Sequence, residues 1–438
     1  MSLETPEKIR RFQRELYLKA KREPECRFHQ LYDKLYREDI LAHAYRRVRA
    51  NGGAAGVDGE ALADVEGQGL EGWLARLREE LRGRTYKPSP VRRVKIPKEG
   101  GGERNLGIPT VRDRVVQTAA VVILQPVFEA DMEDGAYGYR PKRSAQDAVK
   151  AVHTALIQGY TEVVDGDLST YFDTIPHAAL MQSVARRISD RNMLALIKAW
   201  LKVPIIEEEH DGPRRTSGGK DGKMGVPQGG VISPLLANIY INRLLKAWRM
   251  WGIGARYQAR IINYADDFVI LSQGRGTEAL AWTRRILDKL GLTLNEAKTR
   301  VVNAECASFN FLGYTFGIQR GSKDGHPYMG AIPSAKSLKR IKANVKNLLG
   351  PWNTHPIDMV VTELNLRLKG WMNYFSYGSL RKTAFAVRKY VRDRMRNFLR
   401  RRHKVPGRGY GRFGPVHVFK VLGVVCPREY MQTPPARA

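Results

Sequence analysis

Two adjacent aspartates carry the strongest chemical signal in this chain. Asp266 and Asp267 lie between two short apolar runs, Ile261-Ile262 and Phe268 to Leu271, which predicts two strands joined by a tight turn. Neighbouring carboxylates repel each other unless cations neutralise them. Nucleotidyl transfer needs such a pair, because one divalent ion activates the attacking hydroxyl while a second steadies the triphosphate. Taken alone, the pair is explained equally well by a solvated hairpin turn.

A second acidic segment lies upstream. Residues Glu162 to Pro176 begin with β-branched residues and contain Asp165, Asp167 and Asp173. A carboxylate at the end of this strand would complete a two-metal site if sheet pairing placed it beside Asp266. Few protein ligands suffice, because magnesium also binds substrate phosphate oxygens.

A glycine-rich segment, Gly225 to Tyr240, separates the two acidic segments. Its glycines allow a backbone to approach a substrate closely. Ser233-Pro234 predicts the start of a helix, with Ser233 as the cap and Pro234 in the first turn. A lone glycine-rich loop is more often a structural break, but its place between the acidic segments favours a functional role.

The order of these segments resembles that of the reverse transcriptases encoded by bacterial group II introns, which also act as maturases. Further similar blocks are Asn51 to Gly59, Val94 to Lys98, Arg104 to Arg114, Tyr137 to Ser144, Gly291 to Thr299, Phe309 to Tyr314 and Leu368 to Phe375. The resemblance covers nearly the whole length. It implies an α+β right-hand polymerase with fingers, palm and thumb, and an RNA-directed DNA polymerase activity used in retrohoming. It also implies a second role in binding intron RNA for splicing.

The resemblance assigns the catalytic residues. It implies that Asp167, Asp266 and Asp267 hold two Mg²⁺ ions, with the backbone carbonyl of Leu168 as a further ligand. Asp165 and Asp173 are interpreted as a charged strand flank and as a helix-cap or turn residue.

The same resemblance implies five substrate-binding residues. Lys98 and Arg104 would clamp the triphosphate, Gln228 would contact the incoming nucleotide or the template, and Lys298 would supply a proton to pyrophosphate. Phe172 would exclude a ribose 2′-hydroxyl by steric clash. The alternatives are a solvated hairpin for Lys98 and Arg104, a solvated charge for Lys298 and an ordinary core side chain for Phe172.

The composition indicates a polyanionic partner independently of the resemblance. The chain has 438 residues, with 74 Lys and Arg against 44 Asp and Glu, which gives a net charge of +30. Such a surplus predicts salt-dependent binding to nucleic acid. The chain has no long uncharged apolar span and no apolar core near its N-terminus, so we expect no membrane span and no signal peptide.

Three cysteines, Cys26, Cys306 and Cys426, are widely spaced. We therefore expect no zinc ribbon and no disulfide framework, as in the reducing bacterial cytoplasm. Many intron-encoded proteins of this family end in an endonuclease of the His-Asn-His type. The sequence up to Ala438 contains no candidate for one, and so resembles the lineage that lacks it.

Four regions are expected to position these residues. Residues 1–84 form a helical N-terminal extension and block, in which Leu31, Leu35, Ile40, Leu41 and Ala44 recur at near-helical spacing before the Asn51-Gly-Gly break. Residues 85–330 mix strands and helices as fingers and palm, and include a buried helix over Gln117 to Val127. Residues 331–404 form a helical thumb or maturase region. Residues 405–438 form a basic tail and a candidate DNA-binding segment.

The thumb region carries a basic constellation interleaved with apolar residues. One face can pack while the other contacts RNA phosphates. The candidate RNA-binding residues are Arg388, Lys389, Arg392, Arg396, Arg400, Arg401 and Arg402.

The expected partners are an RNA template, a DNA primer, deoxynucleoside triphosphates, group II intron RNA and target DNA, without a membrane. On target DNA the protein would lie in the nucleoid. Two alternatives stay open at this point. One is a non-catalytic RNA-binding maturase with a retained polymerase shell, and the other is a domesticated reverse transcriptase in repair or host defence.

Overall fold

Helices and strands are mixed along the chain in no simple repeat, as expected of an α+β protein. The computed structural model describes residues 4–97, 103–207, 215–219, 221–321 and 325–432. The helices are α1 (Glu7–Arg22), α2 (Tyr32–Leu35), α3 (Glu38–Asn51), α4 (Leu62–Gly67), α5 (Leu70–Arg82), α6 (Val111–Glu129), α7 (Ala145–Ile157), α8 (Tyr171–Thr174), α9 (His177–Ala185), α10 (Arg191–Leu201), α11 (Ser233–Met250), α12 (Ile253–Arg256), α13 (Gly276–Lys289), α14 (Ala335–Leu348), α15 (Ile357–Tyr374), α16 (Arg381–Arg402) and α17 (Pro427–Gln432), with a π-helical turn at His417–Val421. The strands are β1 (Val91–Pro97), β2 (Glu103–Ile108), β3 (Glu162–Asp167), β4 (Pro204–Glu207), β5 (Arg215–Gly218), β6 (Ala259–Tyr264), β7 (Asp267–Ser272), β8 (Arg300–Asn303), β9 (Phe309–Phe311), β10 (Tyr314–Arg320) and β11 (Pro327–Pro333).

The palm sheet contains the strands of both acidic segments, in the order β6-β7-β3-β8. Its four strands run antiparallel to their neighbours. The hairpin predicted around Asp266 is confirmed, since β6 and β7 pair from Ala259 with Ser272 to Tyr264 with Asp267. This sheet sets the relative positions of the two acidic segments.

The finger sheet has the order β2-β1-β4-β5. Strands β1 and β2 pair antiparallel up to Pro97 opposite Glu103, and β4 joins β1 in parallel. The predicted phosphate-binding Lys98 falls in the connection of this hairpin and lies outside the described residues.

The third sheet, β11-β10-β9, connects the palm to the C-terminal helices. The Phe309 and Phe316 rings stack within it at a centroid distance of 5.2 Å. Ser334 then caps α14 by accepting a hydrogen bond from the Ser337 amide. The helical structure predicted from Ser334 onward is confirmed by α14, α15 and α16, and its assignment as the thumb stays a prediction.

Helix α6 forms the centre of the first core. The helix predicted over Gln117 to Val127 is confirmed, and it extends to Val111–Glu129 with Pro126 inside. The N-terminal helices α1 and α3 pack on it. The apolar positions predicted to form a helical face are buried, including Leu35, Ile40 and Ala44. The N-terminal helices therefore share their core with the fingers and palm.

The start of α11 differs from the prediction in one detail. The helix begins at Ser233 with proline in its first turn, as expected, but Ile232 occupies the capping position. The Ser233 hydroxyl instead donates a hydrogen bond of 2.7 Å to the carbonyl of Pro227. The assignment of Ser233 as the cap was therefore wrong. Its hydroxyl binds the Pro227 carbonyl and so links the glycine-rich loop to the first turn of α11.

The palm sheet separates two hydrophobic cores. Successive residues of a strand point to opposite faces, so alternate residues enter different cores. Val164, Phe268 and Ile270 belong to the first core, and Val163, Val269 and Leu271 to the second. The second core also contains the thumb helices together with Phe413, Val418 and Val424. The boundaries predicted near residues 84, 330 and 404 stay a prediction.

No helix within the described ranges is long and apolar enough to cross a membrane.

Candidate active site

The palm sheet brings the three predicted catalytic aspartates to one end. Asp167 at the end of β3 is the register partner of Asp267 at the start of β7. Directly opposed residues of an antiparallel pair lie roughly 5 Å apart between Cα atoms. Asp266 occupies the β6–β7 turn, and its carbonyl accepts a hydrogen bond of 3.4 Å from the Leu168 amide. Sheet pairing therefore clusters carboxylates that are about a hundred residues apart in the chain.

The turn itself is held in an uncommon backbone conformation. Ala265 has φ of +60°, a region that side-chain-bearing residues rarely adopt. The Asn263 side-chain amide stabilises it by donating to the carbonyls of Ala265 and Asp267, at 2.9 and 3.2 Å. The backbone of Gly138 packs against the turn so closely that a Cβ there would lie 2.5 Å from the Ala265 nitrogen. These contacts hold Asp266 and Asp267 in place from two sides.

Asp167 is bound by two residues of the loop before β8. The Lys298 Nζ donates to Asp167 Oδ2 at 2.8 Å, and the Asn295 Nδ2 donates to the same oxygen at 3.1 Å. The Asn295 amide also donates to the Asp167 carbonyl at 2.8 Å. Hydrogen bonding to Asp167 raises the pKa of Lys298, which keeps it protonated. The sequence analysis gave Lys298 as a proton donor or a solvated charge and did not single out Asn295, although both lie in the Gly291–Thr299 block.

The electrostatics of the cluster are unfavourable without a cation. Desolvation, together with the charges of Asp266 and Asp167, raises the pKa of Asp267 to about 7. Burial also raises the pKa of Asp165, while Arg300, 3.3 Å from it, acts in the opposite direction. Arg300 therefore offsets part of the unfavourable charge of Asp165, which agrees with its interpretation as a strand flank.

The donor set fits a hard cation that also binds substrate. Within the described ranges, no three or more carboxylate, imidazole or thiol side chains are grouped so that they could hold a metal ion. A few carboxylates together with phosphate oxygens are nevertheless a typical magnesium environment. The raised pKa of Asp267 shows that repulsion among these carboxylates is only partly compensated by protein groups.

The glycine-rich segment links the palm to the finger sheet through Gln228. The Arg104 Nε donates to Gln228 Oε1, and the Gln228 Nε2 donates to Asp173 Oδ2, both at 3.2 Å. The Gln228 carbonyl accepts a hydrogen bond of 2.5 Å from the Gly107 amide. Two of the predicted substrate residues, Arg104 and Gln228, are therefore neighbours. Asp173, expected to be a cap or turn residue, holds the Gln228 amide.

Phe172 lies under the same segment. Its side chain is only 6% exposed and meets Tyr171 edge-to-face at 5.7 Å. Its carbonyl accepts a hydrogen bond of 2.7 Å from the Val226 amide. Burial agrees with the core alternative, whereas the hydrogen bond from Val226 places the main chain of Phe172 next to the glycine-rich segment.

His177 contacts the main chain at the start of the glycine-rich segment, and the sequence analysis did not single it out. Its Nδ1 and Nε2 lie 3.1 and 2.6 Å from the carbonyl oxygens of Gly222 and Gly225. A cavity of about 160 Å³ lies here, and Asp173 and Gln228 are among its lining residues. No ligand spacing marks His177 in the sequence, because its partners are backbone carbonyls.

Tyr139 is a second residue that the sequence did not mark. Its backbone has φ of +54°, and its side chain is 45% exposed. Burial of part of the ring and the nearby charge of Asp266 raise its pKa, while Arg104 lowers it. The tyrosine ring is therefore within electrostatic reach of both Arg104 and the catalytic turn.

The predicted RNA-binding arginines of α16 differ in their surroundings. Arg396 is buried, with ion pairing to Asp393 at 3.0 Å and its guanidinium 3.8 Å from the Tyr410 ring centroid. The Arg396 guanidinium is thus packed within the protein, and its direct contact with RNA stays a prediction. Arg392 also pairs with Asp393, and Arg388 lies over the ring of Phe419. Exposed members of the predicted set are Lys389, Arg401 and Arg402.

Two family models match the chain. Residues 96–316 match the model described as reverse transcriptase (RNA-dependent DNA polymerase), and residues 338–413 match the group II intron, maturase-specific domain. The first match spans the palm sheet with all three aspartates and the finger sheet apart from most of β1. The second spans α14 to α16, apart from the first few residues of α14.

Individual relatives agree with the family models. Protein YkfC of Escherichia coli is 34% identical over 367 residues, which are 75% of this chain and 93% of YkfC. The group II intron-encoded protein LtrA of Lactococcus lactis is 28% identical over 67% of this chain and 57% of LtrA. A solved telomerase structure from Candida tropicalis matches with a TM-score of 0.41 and 14% identity, over 57% of this chain and 58% of that chain. That likeness is too low to support an argument.

Proposed function

The chain belongs to the reverse transcriptase family and carries a group II intron maturase domain, and from this premise we propose a two-metal polymerase that serves intron retrohoming and splicing. The family membership makes it an RNA-directed DNA polymerase with the right-hand fold expected from the sequence. We propose that it copies intron RNA from a DNA primer in the bacterial cytoplasm and that the same RNA is its splicing substrate. The single observation that supports the chemistry most is the register pairing of Asp167 with Asp267 beside Asp266.

Asp167, Asp266 and Asp267 would hold two Mg²⁺ ions, with the Leu168 carbonyl as a further oxygen ligand. Bound Mg²⁺ would supply charge neutralisation at the primer 3′-hydroxyl and at the triphosphate. Asp167 would exchange part of its contact with Lys298 for this role. The protonated Lys298 Nζ, 2.8 Å from Asp167, is then available to donate a proton to the departing pyrophosphate.

Arg104 and Gln228 would bind the incoming nucleotide. The Arg104 guanidinium can bridge two phosphate oxygens, and Lys98 of the same hairpin would add a second cation. The Gln228 amide, now held by Arg104 and Asp173, would orient toward the nucleotide or the template. Because Arg104 contacts Gln228 directly, substrate binding at one residue would reposition the other.

Phe172 would select deoxynucleotides by occupying the space of a 2′-hydroxyl. We expect Phe172→Val to raise ribonucleotide incorporation relative to deoxynucleotide incorporation by about 10-fold or more, since removing a clash changes discrimination. Single-nucleotide extension with matched nucleotide pairs measures this ratio. Phe128→Val is the control, because Phe128 is equally buried in α6 and its loss should lower stability alone. An unchanged ratio in a folded Phe172→Val protein would leave only the core role.

Helix α16 would bind intron RNA through its exposed Lys389, Arg401 and Arg402 and its half-buried Arg388, Arg392 and Arg400. Electrostatic contacts to phosphates position an RNA without reading its sequence. The basic segment after residue 404 would contact target DNA. The match to the maturase-specific domain supports the RNA role, since it includes all of α16.

Asp266→Asn tests the proposed polymerase against a non-catalytic maturase. We expect loss of primer extension on an RNA template with Mg²⁺ by about 1000-fold or more, with RNA affinity nearly unchanged, because the carboxylate acts on the chemical step. Asp288→Asn makes the same isosteric change on the exposed side of α13 and should extend normally. Extension by the Asp266→Asn protein at the wild-type rate would remove Asp266 from the metal site.

A further inference from the structure

Trp352 is the most exposed large apolar side chain among the described residues. It lies in the connection between α14 and α15, and 92% of its surface is accessible to solvent. Exposure of an indole is unfavourable, because tryptophan gains more from burial than almost any other residue. A single exposed apolar side chain is common on protein surfaces, so the argument for a partner depends on the loop that holds Trp352 and on the charge around it.

The loop around Trp352 is fixed on both sides. Before it, the Arg401 guanidinium donates to the Leu349 carbonyl at 3.0 Å. After it, Arg402 donates to the His355 carbonyl at 2.6 Å, and the Asn353 side chain donates to the Leu348 carbonyl at 2.8 Å. The main chain is therefore organised in advance while the indole stays exposed, an arrangement that reduces the entropy cost of binding.

The surroundings of this loop are strongly cationic. Helix α14, which ends where the loop begins, has five Lys and Arg and no acidic residue. Helix α16, which anchors the loop, has ten Lys and Arg and only one acidic residue, Asp393. The partner that complements this charge is a polyanion. The acidic groups nearby are Asp358 and Glu363 of α15, which line a cavity of about 420 Å³ beside Asn353 and His355.

We propose that Trp352 is a stacking platform for an unpaired base of bound RNA. Every base has a flat face that can stack on an indole, while neighbouring cations hold the flanking phosphates. The base must be unpaired, because stacked neighbours cover its faces within a duplex. The assignment rests on the proposed RNA-binding function, and Trp352 lies inside the maturase-specific match at 338–413. Stacking on Trp352 would favour RNA with an unpaired nucleotide, whereas the basic helices alone would bind any RNA.

The test compares two RNA hairpins with the same stacked tetraloop. The bulged hairpin has three unpaired adenosines in its stem, one of them replaced by 2-aminopurine, and the fully paired hairpin has an uninterrupted stem. With the full chain at near-physiological salt, we expect Trp352→Ala to weaken binding of the bulged hairpin by about 10-fold, the typical effect of losing one stacked base. Binding of the fully paired hairpin should change by less than about 2-fold. The wild-type protein should quench 2-aminopurine fluorescence, and Trp352→Ala should not. Trp352→Phe should recover most of the affinity, because it restores an aromatic face.

Trp251→Ala is the matched control, since Trp251 is also exposed, at 59%, but lies at the end of α11 in the palm. Equal losses for both hairpins, or no loss for either, would overturn the proposal. So would a loss of binding to anionic lipid vesicles or a change of oligomeric state without an effect on the bulged RNA. The proposed function is tested separately, by primer extension and by RNA binding of the wild-type protein, so its failure is distinguishable from failure of the Trp352 assignment.

Discussion

At the scale of single residues, the carboxylate cluster is kept in place by groups that also oppose its charge. Lys298 and Asn295 hold Asp167, and Arg300 compensates Asp165. The charge of Lys298 offsets only part of this effect at Asp267, where desolvation and the neighbouring carboxylates raise the pKa to about 7. The pKa of Asp267 is therefore the most strongly affected in the cluster, and a bound cation would lower it by neutralising the carboxylates.

This repulsion predicts a pH dependence of stability. Since the pKa of Asp267 is higher in the folded chain than in the unfolded one, the metal-free protein loses stability as pH rises from about 4 to about 7. Asp267→Asn removes the titration, so its gain over wild type should grow across this window and stay constant above it. Asp267 remains partly exposed and is screened by water, so we expect a gain of about 1 kcal/mol at pH 8.

Urea unfolding in the presence of a chelator at pH 5 and pH 8 measures this difference. Asp288→Asn on α13 serves as the exposed control and should show no such growth. A gain for Asp267→Asn that is equal at both pH values would contradict the electrostatic origin.

Residues that act through backbone contacts could not be predicted from the sequence. The aspartates are recognisable because two are adjacent and lie between apolar runs, so their local pattern carries the signal. His177 and Asn295 act on Gly222, Gly225 and Asp167, which are distant in the chain or contacted through carbonyls. Single side chains of this kind have no spacing that distinguishes them from ordinary polar residues.

At the scale of elements, the segment between α6 and α7 helps to hold the β6–β7 turn in place, as the β6–β7 pairing itself does. The Tyr137 amide donates to the Asn263 carbonyl and the Asn263 amide to the Gly135 carbonyl, at 2.9 and 2.8 Å, so the segment runs along β6. The Asn238 side chain of α11 donates to the Gly138 carbonyl at 2.7 Å. The α6–α7 connection thus supports the catalytic turn. The sequence analysis identified part of it as the Tyr137 to Ser144 block, but its contacts with the turn are known only from the structure.

Gly138→Ala tests this brace. Its added Cβ would meet the Ala265 backbone at 2.5 Å, and backbone cannot move aside as a flexible side chain can. We expect kcat for primer extension to fall by about 10-fold or more, because small displacements of a catalytic group are costly. Steady-state kinetics well below the melting temperature separate this effect from instability.

Gly72→Ala is the control for the glycine substitution. Gly72 lies within α5, and its Cβ would make only an ordinary contact with Arg76. We expect this helix position to gain up to about 1 kcal/mol of stability without a change in kcat. If Gly138→Ala likewise left kcat unchanged, the turn would not depend on this segment.

At the scale of the whole molecule, the charge surplus is unevenly placed. The net charge of +30 predicted a polyanionic partner but not where it would bind. The two thumb helices α14 and α16 concentrate fifteen cations against one carboxylate. Several of those cations, such as Arg396, are used in packing, so charge counted along a sequence overstates the charge available to RNA. Which of these cations are exposed depends on how α16 packs against the second core, and the sequence alone does not show this.

The last prediction concerns this exposed subset. Lys382 and Lys389 lie seven residues apart on α16 and are both exposed, so they share one face. Replacing both with Gln should lower the slope of log affinity against log salt for a structured RNA by about 2, since each lost phosphate contact removes about one released counterion. Filter binding over a series of salt concentrations measures the slope. The double change Arg191→Gln with Lys198→Gln removes the same charge from the exposed side of α10, which lies outside the maturase-specific match. Its slope should stay close to wild type. Equal changes in both proteins would mean that RNA responds to the total charge of the molecule rather than to the face of α16.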